Sequence, residues 1–481
     1  MPADAGPLRS PLLALDAVAL VEGYRSRRIS PVEVVDAVLD QIEAYNPTLN
    51  AFVTVSGEAA REQARSAERA YREGGDHHPP LLGVPYSVKD TILTAGVRTT
   101  MGSRTLAEWV PAVDAPVVER MRAAGAIFLG KTNTPEFGWK LETTNPLVGT
   151  TRNPWDPALT PGGSSGGAAV AVAMGMGPIA IASDTAGSIR VPGSFCGVVG
   201  YKPSFGRIPF APGGPIESLG HVGVLARSVR DVALVLETTA GPDERDRFSL
   251  TGPVPPFAAE LEPAAGPLSA AWSEDLGFAP VESATVEISE RAARDLAPSA
   301  WELSELELSV EDPIECIEVL LAAAMAAAAG DSLDEVRSVI DPERLEVVER
   351  GLQTSGAAVA GVNTRRAALV EALRVAFGDR DLIVTPAVPL PPFAAGQTAP
   401  DAVGGRATPW LRWGGLSYPF NLTGQPAISL PCGLDARGLP VGMQLVGRQH
   451  ADSTVLCAAA AVERAMPWAD RWPASIAEPG T

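Results

Sequence analysis

Along the first 75 residues apolar positions recur with helical spacing. Ser30-Pro31-Val32-Glu33 reads as a capping box with proline at the first helical position, and Val34, Val35, Val38, Leu39 and Ile42 form one apolar stripe behind it. Asn46-Pro47 is the expected stop. A second helix, Glu58 to Glu73, is polar on most faces and is expected to end at Gly74-Gly75, so residues 10–75 are predicted to be an outer helical layer with a structural role. The pattern then changes. Leu81 to Asp90 is an apolar run ending in the charged pair Lys89-Asp90, as a strand that opens on a cleft would. A helix (Ala115–Gly125) and a strand (Ala126–Gly130) follow, then a small-residue apolar run from Ala168 to Met176 and the strand Pro178–Ala182. Alternation of this kind predicts an α/β sheet.

Residues 240–380 read as mostly helical and acidic, with an alanine run from Ala322 to Ala329 and no assignable chemistry. Strand-like runs return at Leu382–Pro386, Ala427–Pro431 and Val441–Val446, before a closing helix, Ser453–Met466, so the sheet is expected to be completed from both ends of the chain. Trp410, Trp413 and Tyr418 are expected to pack in the core, with a pocket wall as the other role open to them. No linker composition divides the 481 residues; one domain over 1–481 is expected, with a catalytic core at 80–240, a variable substrate-side region at 241–380 and C-terminal strands and helix at 381–470.

Composition narrows the chemistry. No apolar run is long enough to span a membrane, and Pro11–Leu20, broken by Asp16, does not read as a signal peptide, so a cytoplasmic protein is expected. Cys196, Cys316, Cys432 and Cys457 are far apart and are expected to be buried thiols. His77, His78, His221 and His450 show no ligand spacing, so neither a metal nor a cofactor is expected, and a net charge of -19 argues against a nucleic-acid partner. Of 38 basic residues only Lys89, Lys131, Lys140 and Lys202 are lysines. Arginine cannot lose its proton in a protein, whereas a buried lysine can become a neutral amine. Chance suffices to account for Lys131, Lys140 and Lys202; Lys89, at a strand end, invites a chemical role.

Two glycine-serine loops supply the rest. Pro161-Gly162-Gly163-Ser164-Ser165-Gly166-Gly167-Ala168 and Ser183-Asp184-Thr185-Ala186-Gly187-Ser188-Ile189-Arg190 are joined by a helix and a strand that would bring them to one place. With Ser188 as nucleophile, Lys89 could serve as its base if desolvation makes it neutral, and Ser164 could relay the proton. The turn Thr185 to Ser188 would aim successive backbone N–H groups at one point, as an oxyanion requires. Gly162 to Gly166 also satisfies Gly-x-Ser-x-Gly, so an esterase with an elbow serine and His450 is a rival.

At these residues the sequence resembles the amidase signature family. The likeness runs through Gly83-Val84-Pro85, Lys89-Asp90, Gly96-Val97-Arg98-Thr99-Thr100, Thr132 to Gly138, Thr151-Arg152-Asn153-Pro154-Trp155, both serine loops, Phe195-Cys196-Gly197 and Phe420-Asn421-Leu422-Thr423-Gly424. It implies an α/β/α sandwich with a mixed central β-sheet surrounded by helices, and an amidase that cleaves an amide C–N bond through an acyl-enzyme. It implies Ser188 as nucleophile, Ser164 entered by a cis peptide as shuttle, Lys89 as base, and an oxyanion hole from Thr185, Ala186, Gly187 and Ser188. Ala186 stands where the family usually has glycine, which leaves the shape of that loop open. Substrate contacts are expected from Gly138 to Thr143 and from 300–420, with Gly138, Trp139, Leu141 and Gly163 as candidates, and a small neutral, partly apolar amide as substrate. A carbamate or aryl ester hydrolase, or the glutaminase subunit of a tRNA-dependent amidotransferase, are the alternatives, and a homodimer is left open.

Overall fold

The computed structural model of the protein describes residues 8–74, 77–261, 267–308, 310–330 and 333–474. Among them the strands are β1 (Phe52–Val55), β2 (Pro85–Lys89), β3 (Ile127–Thr132), β4 (Thr144–Asn145), β5 (Gly149–Thr150), β6 (Ile179–Asp184), β7 (Val199–Lys202), β8 (His221–Ala226), β9 (Leu268–Trp272), β10 (Trp301–Glu305), β11 (Leu382–Pro386), β12 (Ala427–Leu434) and β13 (Pro440–Gly447). β4 and β5 pair only with each other; the other eleven form one sheet in the order β1-β3-β2-β6-β8-β7-β12-β13-β11-β9-β10. β3, β2 and β6 run parallel, as do β11, β9 and β10, and antiparallel pairs join the rest.

Both faces of the sheet are covered, and strand alternation decides which residue meets which layer. On β6, Ile179 and Ile181 enter a core with the helices Pro116–Ala123, Val229–Thr239 and Asp452–Ala465, whereas Ala180 and Ala182 face the helices Pro31–Leu49 and Gly166–Ala173. On β11, Leu382 and Val384 point to the first core and Ile383 to a third, built with Ile314–Ala329, Pro342–Leu352 and Gly356–Phe377. This is the expected α/β/α arrangement around a mixed sheet. No helix of the described residues is long and apolar enough to cross a membrane.

Several local expectations need correction. The capping box at Ser30 forms, with Glu33 Oε2 accepting the Ser30 N–H at 2.9 Å, but the helix does not stop at Pro47; it continues to Leu49. A proline so near the C-terminus forfeits a single backbone bond, and the left-handed Asn50 closes the helix instead. Asn46 then exchanges both amide groups with the backbone of Phe52, starting β1 within a stretch read as helical. Gly74 takes φ 77° after the helix Gly57–Glu73, and Gly75 lies outside the described residues. The run from Leu81 is a turn until Val84, so β2 is shorter than expected. Within 240–380 two strands stand where helix was expected to dominate: β9 and β10 extend the sheet through parallel pairing that no local turn announces. Cys196, Cys316 and Cys432 are buried free thiols, and Cys457 is a free thiol only partly buried.

Glycines mark where layers touch. A Cβ on Gly167 would stand 2.4 Å from Asn133 N and 2.5 Å from Ala51 O, whereas Gly361, on the helix Gly356–Phe377, has nothing within 4 Å. Gly167→Ala is therefore expected to destabilise the fold by at least about 1–3 kcal/mol, and Gly361→Ala to stabilise it by about 0.4–1 kcal/mol. Denaturant midpoints of the two variants check this; equal shifts would contradict the packing described.

Candidate active site

Parallel pairing of β2 with β6 carries the ends of both strands to one edge, so Lys89 emerges next to Ser183 and Asp184. Lys89 is 1 % exposed. Its Nζ lies 2.6 Å from Ser164 Oγ, 3.1 Å from Ser183 Oγ and 3.4 Å from Ser183 O. Burial strips water from the ammonium and pushes its pKa down to about 7, against the opposing pull of the Asp184 carboxylate. A fair fraction of Lys89 is therefore a neutral amine near pH 7, and Ser164 is its hydroxyl partner.

The peptide entering Ser164 is cis. Gly163 has no room for a side chain: a Cβ there would fall 2.5 Å from Glu142 N and 2.7 Å from the Leu141 carbonyl carbon. Gly138 (φ 71°) faces the other side of Ser164, where a Cβ would stand 3.2 Å from Ser164 Oγ. Of the expected contacts, Gly138 and Gly163 adjoin Ser164 and the Leu141 backbone lies against Gly163, while Trp139 and Leu141 are buried in one apolar cluster with Ala186, Trp410, Trp413 and Tyr418.

The second serine loop is held by an ion pair. Asp184 and Arg190 are both fully buried; Arg190 Nε and Nη2 donate to Asp184 at 3.1 and 3.0 Å. Arg190 also donates to Ser417 O at 2.9 Å, Gln444 Oε1 at 2.8 Å and Asn421 Oδ1 at 2.6 Å. Burial alone would raise the Asp184 carboxyl; the Arg190 guanidinium outweighs it and holds the group well below the usual range. The same carboxylate accepts Gly187 N–H at 2.8 Å and Ile189 N–H at 3.1 Å, bending the chain so that Ser188 sits on a tight turn.

That geometry engages one of the four backbone N–H groups expected to form an oxyanion hole. The N–H of Gly187 already serves Asp184, so the donors left on the turn are those of Thr185, Ala186 and Ser188. Ala186 causes no conflict: Gly187 carries the positive φ (121°), and Ala186 is not among the residues with positive φ. Ser165 N–H donates to Ser188 O at 3.2 Å, so the two loops meet as expected, while the Ser188 hydroxyl makes no hydrogen bond to any described residue. The elbow-serine rival fails on placement, because Ser164 is buried on Lys89 and His450 is exposed.

Chance does not account for the other lysines, since all four are interior. Lys131 Nζ is bound by Ile92 O and by Thr94 Oγ1, the latter at 2.9 Å, and Lys202 Nζ by Gln425 O at 2.5 Å and Pro203 O at 3.2 Å. Lys140 lies between Glu142 and Glu343. Sequence reasoning passed over Ser183, Asp184, Arg190, Ser417, Asn421 and Gln444 as site residues; charged or amide side chains within small and apolar runs were the available sign.

The family described as Amidase matches residues 33–456. The chain is 34% identical over 468 residues to an acylamidase of Rhodococcus erythropolis, covering 96% of this chain and 97% of that one. It is 37% identical over 487 residues to a glutamyl-tRNA(Gln) amidotransferase subunit of Moorella thermoacetica, covering 96% and 99%. Its fold is similar to the crystal structure of a bacterial aryl acylamidase (TM-score 0.90, 30% identity, 97% of this chain and 100% of that one). It is also similar to 6-aminohexanoate cyclic dimer hydrolase in complex with substrate (TM-score 0.86, 30% identity, 96% and 99%).

Removing Arg190 would leave Asp184 as an uncompensated buried charge. Arg190→Met is therefore expected to cost about 3–5 kcal/mol, read from urea unfolding. A loss under about 1 kcal/mol, the scale of a surface pair, would show that the pair does not hold the turn.

Proposed function

The chain belongs to the amidase signature family, and from that premise we propose that it hydrolyses the C–N bond of a neutral amide, with Ser188 as nucleophile, Ser164 as proton shuttle and Lys89 as base. The observation that carries the reading is the 2.6 Å contact between a buried Lys89 Nζ and Ser164 Oγ. Ser188 Oγ attacks the carbonyl carbon, its proton passes to Ser164, and the Ser164 proton passes to the neutral Lys89. The oxyanion is taken by the N–H groups of Thr185, Ala186 and Ser188. As the C–N bond breaks, the proton returns through Ser164 to the leaving amine or ammonia. Water then enters by the same proton route in reverse roles, releasing the carboxylate and restoring Ser188.

The apolar cluster that Ala186 of the second serine loop joins, with Trp139, Leu141, Trp410 and Tyr418, favours an aryl or aliphatic acyl group over a zwitterion such as glutamine. Carbamates and aryl esters fit the same machinery. The net charge of -19 suits a small neutral substrate better than a nucleic acid, and four unpaired cysteines suit a reducing, cytoplasmic setting.

Lys89→Arg keeps the charge and removes the base. It is expected to lose at least about 10²–10⁴ in kcat, and higher pH should not restore it. In the wild type, kcat/KM should fall as pH drops through about 7, because Lys89 is then protonated. A limb that persists unchanged in Lys89→Arg would assign it to another group. A fluorophosphonate should label Ser188 and leave Ser188→Ala unlabelled; turnover by Ser188→Ala at the wild-type rate would overturn the nucleophile. Across a panel of anilides, aliphatic amides, carbamates, esters and glutamine, the highest kcat/KM should fall on an acyl or aryl amide, and a preference for glutamine would favour the glutaminase alternative.

A further inference from the structure

Between β11, which ends at Pro386, and the helical turn Arg412–Gly414, the chain forms neither helix nor strand beyond the single bridges Leu159–Ala394 and Val403–Arg406. A connection this long without secondary structure usually has a functional reason. It is nevertheless tied down where it passes the serine loops. Thr160 N–H donates to Phe393 O at 2.8 Å, Ala395 N–H to Ala158 O at 3.0 Å, and Trp410 Nε1 to Trp139 O at 3.2 Å.

Its middle is held by charge. Glu142, wholly buried, accepts Gly396 N–H at 3.1 Å and Thr144 Oγ1–H at 2.9 Å on Oε1. Its Oε2 takes no hydrogen bond and faces Lys140 Nζ at 3.5 Å. Lys140, 3 % exposed, reaches Thr398 Oγ1 at 3.2 Å and Glu343 Oε2 at 3.6 Å. Two side chains flanking Leu141 therefore grip Gly396 and Thr398, while the backbone between them, the Leu141 carbonyl and the Glu142 N–H, presses on Gly163. In a close-packed interior such a segment cannot shift toward the strap without moving away from Gly163.

We propose that Lys140 and Glu142 are positioning residues: the pair ties the 387–411 strap to the Gly163–Ser164 peptide, so that the seating of the strap sets where the Ser164 hydroxyl stands against Lys89. The proposal rests on Ser164 being the proton shuttle. A buried pair costs desolvation, and one partner left alone costs more, which makes a grip of this kind sensitive to the loss of either charge. The effect reaches the reaction only through Ser164, so it belongs in kcat and not in substrate affinity.

Glu142→Gln keeps the shape and an acceptor for Gly396 and Thr144 but leaves the buried Lys140 with only the exposed Glu343 carboxylate as counter-charge. It should lower kcat by up to about 10²-fold with KM little changed, the expected result of a small misplacement of a reacting group. Fluorophosphonate labelling of Ser188 should slow in parallel. The double variant Lys140→Met/Glu142→Gln should recover part of the loss, since the charge that remains, Glu343, is exposed to solvent. Thr398→Val, which removes the strap-end hydroxyl that accepts from Lys140 Nζ and donates to Glu343 Oε2, should lower kcat in the same sense and serves as the deciding variant if Glu142→Gln does not fold. Wild-type kcat in Glu142→Gln, or in Thr398→Val where that variant decides, would overturn the proposal, as would a change confined to KM. Ser164→Ala, run in parallel, separates the two levels: if it is inert while Glu142→Gln is normal, only the positioning role falls, and if it keeps wild-type kcat, the shuttle reading falls with it.

Discussion

The carboxylate of Asp184 sits where water does not reach and takes hydrogen bonds from Gly187 N, Ile189 N, Arg190 Nε and Nη2, and Asn421 Nδ2. Such a charge is tolerated only when its lone pairs are filled and a counter-charge is fixed beside it. Filling them bends the backbone after β6 into the turn that carries Ser188. Fixing the counter-charge requires Arg190, whose remaining donors need Ser417 O, Gln444 Oε1 and Asn421 Oδ1. One buried carboxylate therefore binds residues from 184–190 to residues from 417–444, and the turn that carries Ser188 depends on both.

The same carboxylate acts on Lys89 from the opposite direction. A lone buried lysine would lose its proton readily, but a nearby anion favours the charged form. Desolvation outweighs the pull of Asp184, itself paired with Arg190, and brings the Lys89 pKa down to about 7. The ion pair and Lys89 are thus linked by electrostatics as well as by strand pairing. Lys202, also interior, is pushed well below its ordinary value by burial and then by Arg190, so the site's cationic groups are spread among fixed oxygens instead of clustered on the base.

Ala186, on the turn that carries Ser188, joins the buried apolar cluster of Trp139, Leu141, Trp410, Trp413 and Tyr418, and at Gly187 a Cβ would fall 2.7 Å from Ser417 Cβ. The close approach explains why glycine is needed at 187 but not at 186. Ala186, in contrast, is buried in one apolar cluster with Trp139 and Leu141.

Much of this was legible from the chain alone. Period and composition gave the alternation of helices and strands, the capping box at Ser30, the two glycine-serine loops and the lysine at a strand end, because each depends on residues near one another in sequence. Resemblance added the order of the sheet's layers and the roles expected of Ser188, Ser164 and Lys89. What sequence could not supply depended on distant partners. β9 and β10 are strands only because β11 offers a parallel edge, and Pro47 is tolerated only because the helix ends two residues later, at Leu49. The Gly187 N–H is taken up by a carboxylate whose orientation is fixed by Arg190 and Asn421. The interior positions of Lys131, Lys140 and Lys202 likewise follow from oxygens at Ile92, Thr94, Gln425 and Glu142, which only the folded chain assembles. Local propensity and spacing are properties of the chain; desolvation and hydrogen-bond satisfaction belong to the assembled interior, and those two determined the protonation of Lys89 and the geometry of the turn that carries Ser188.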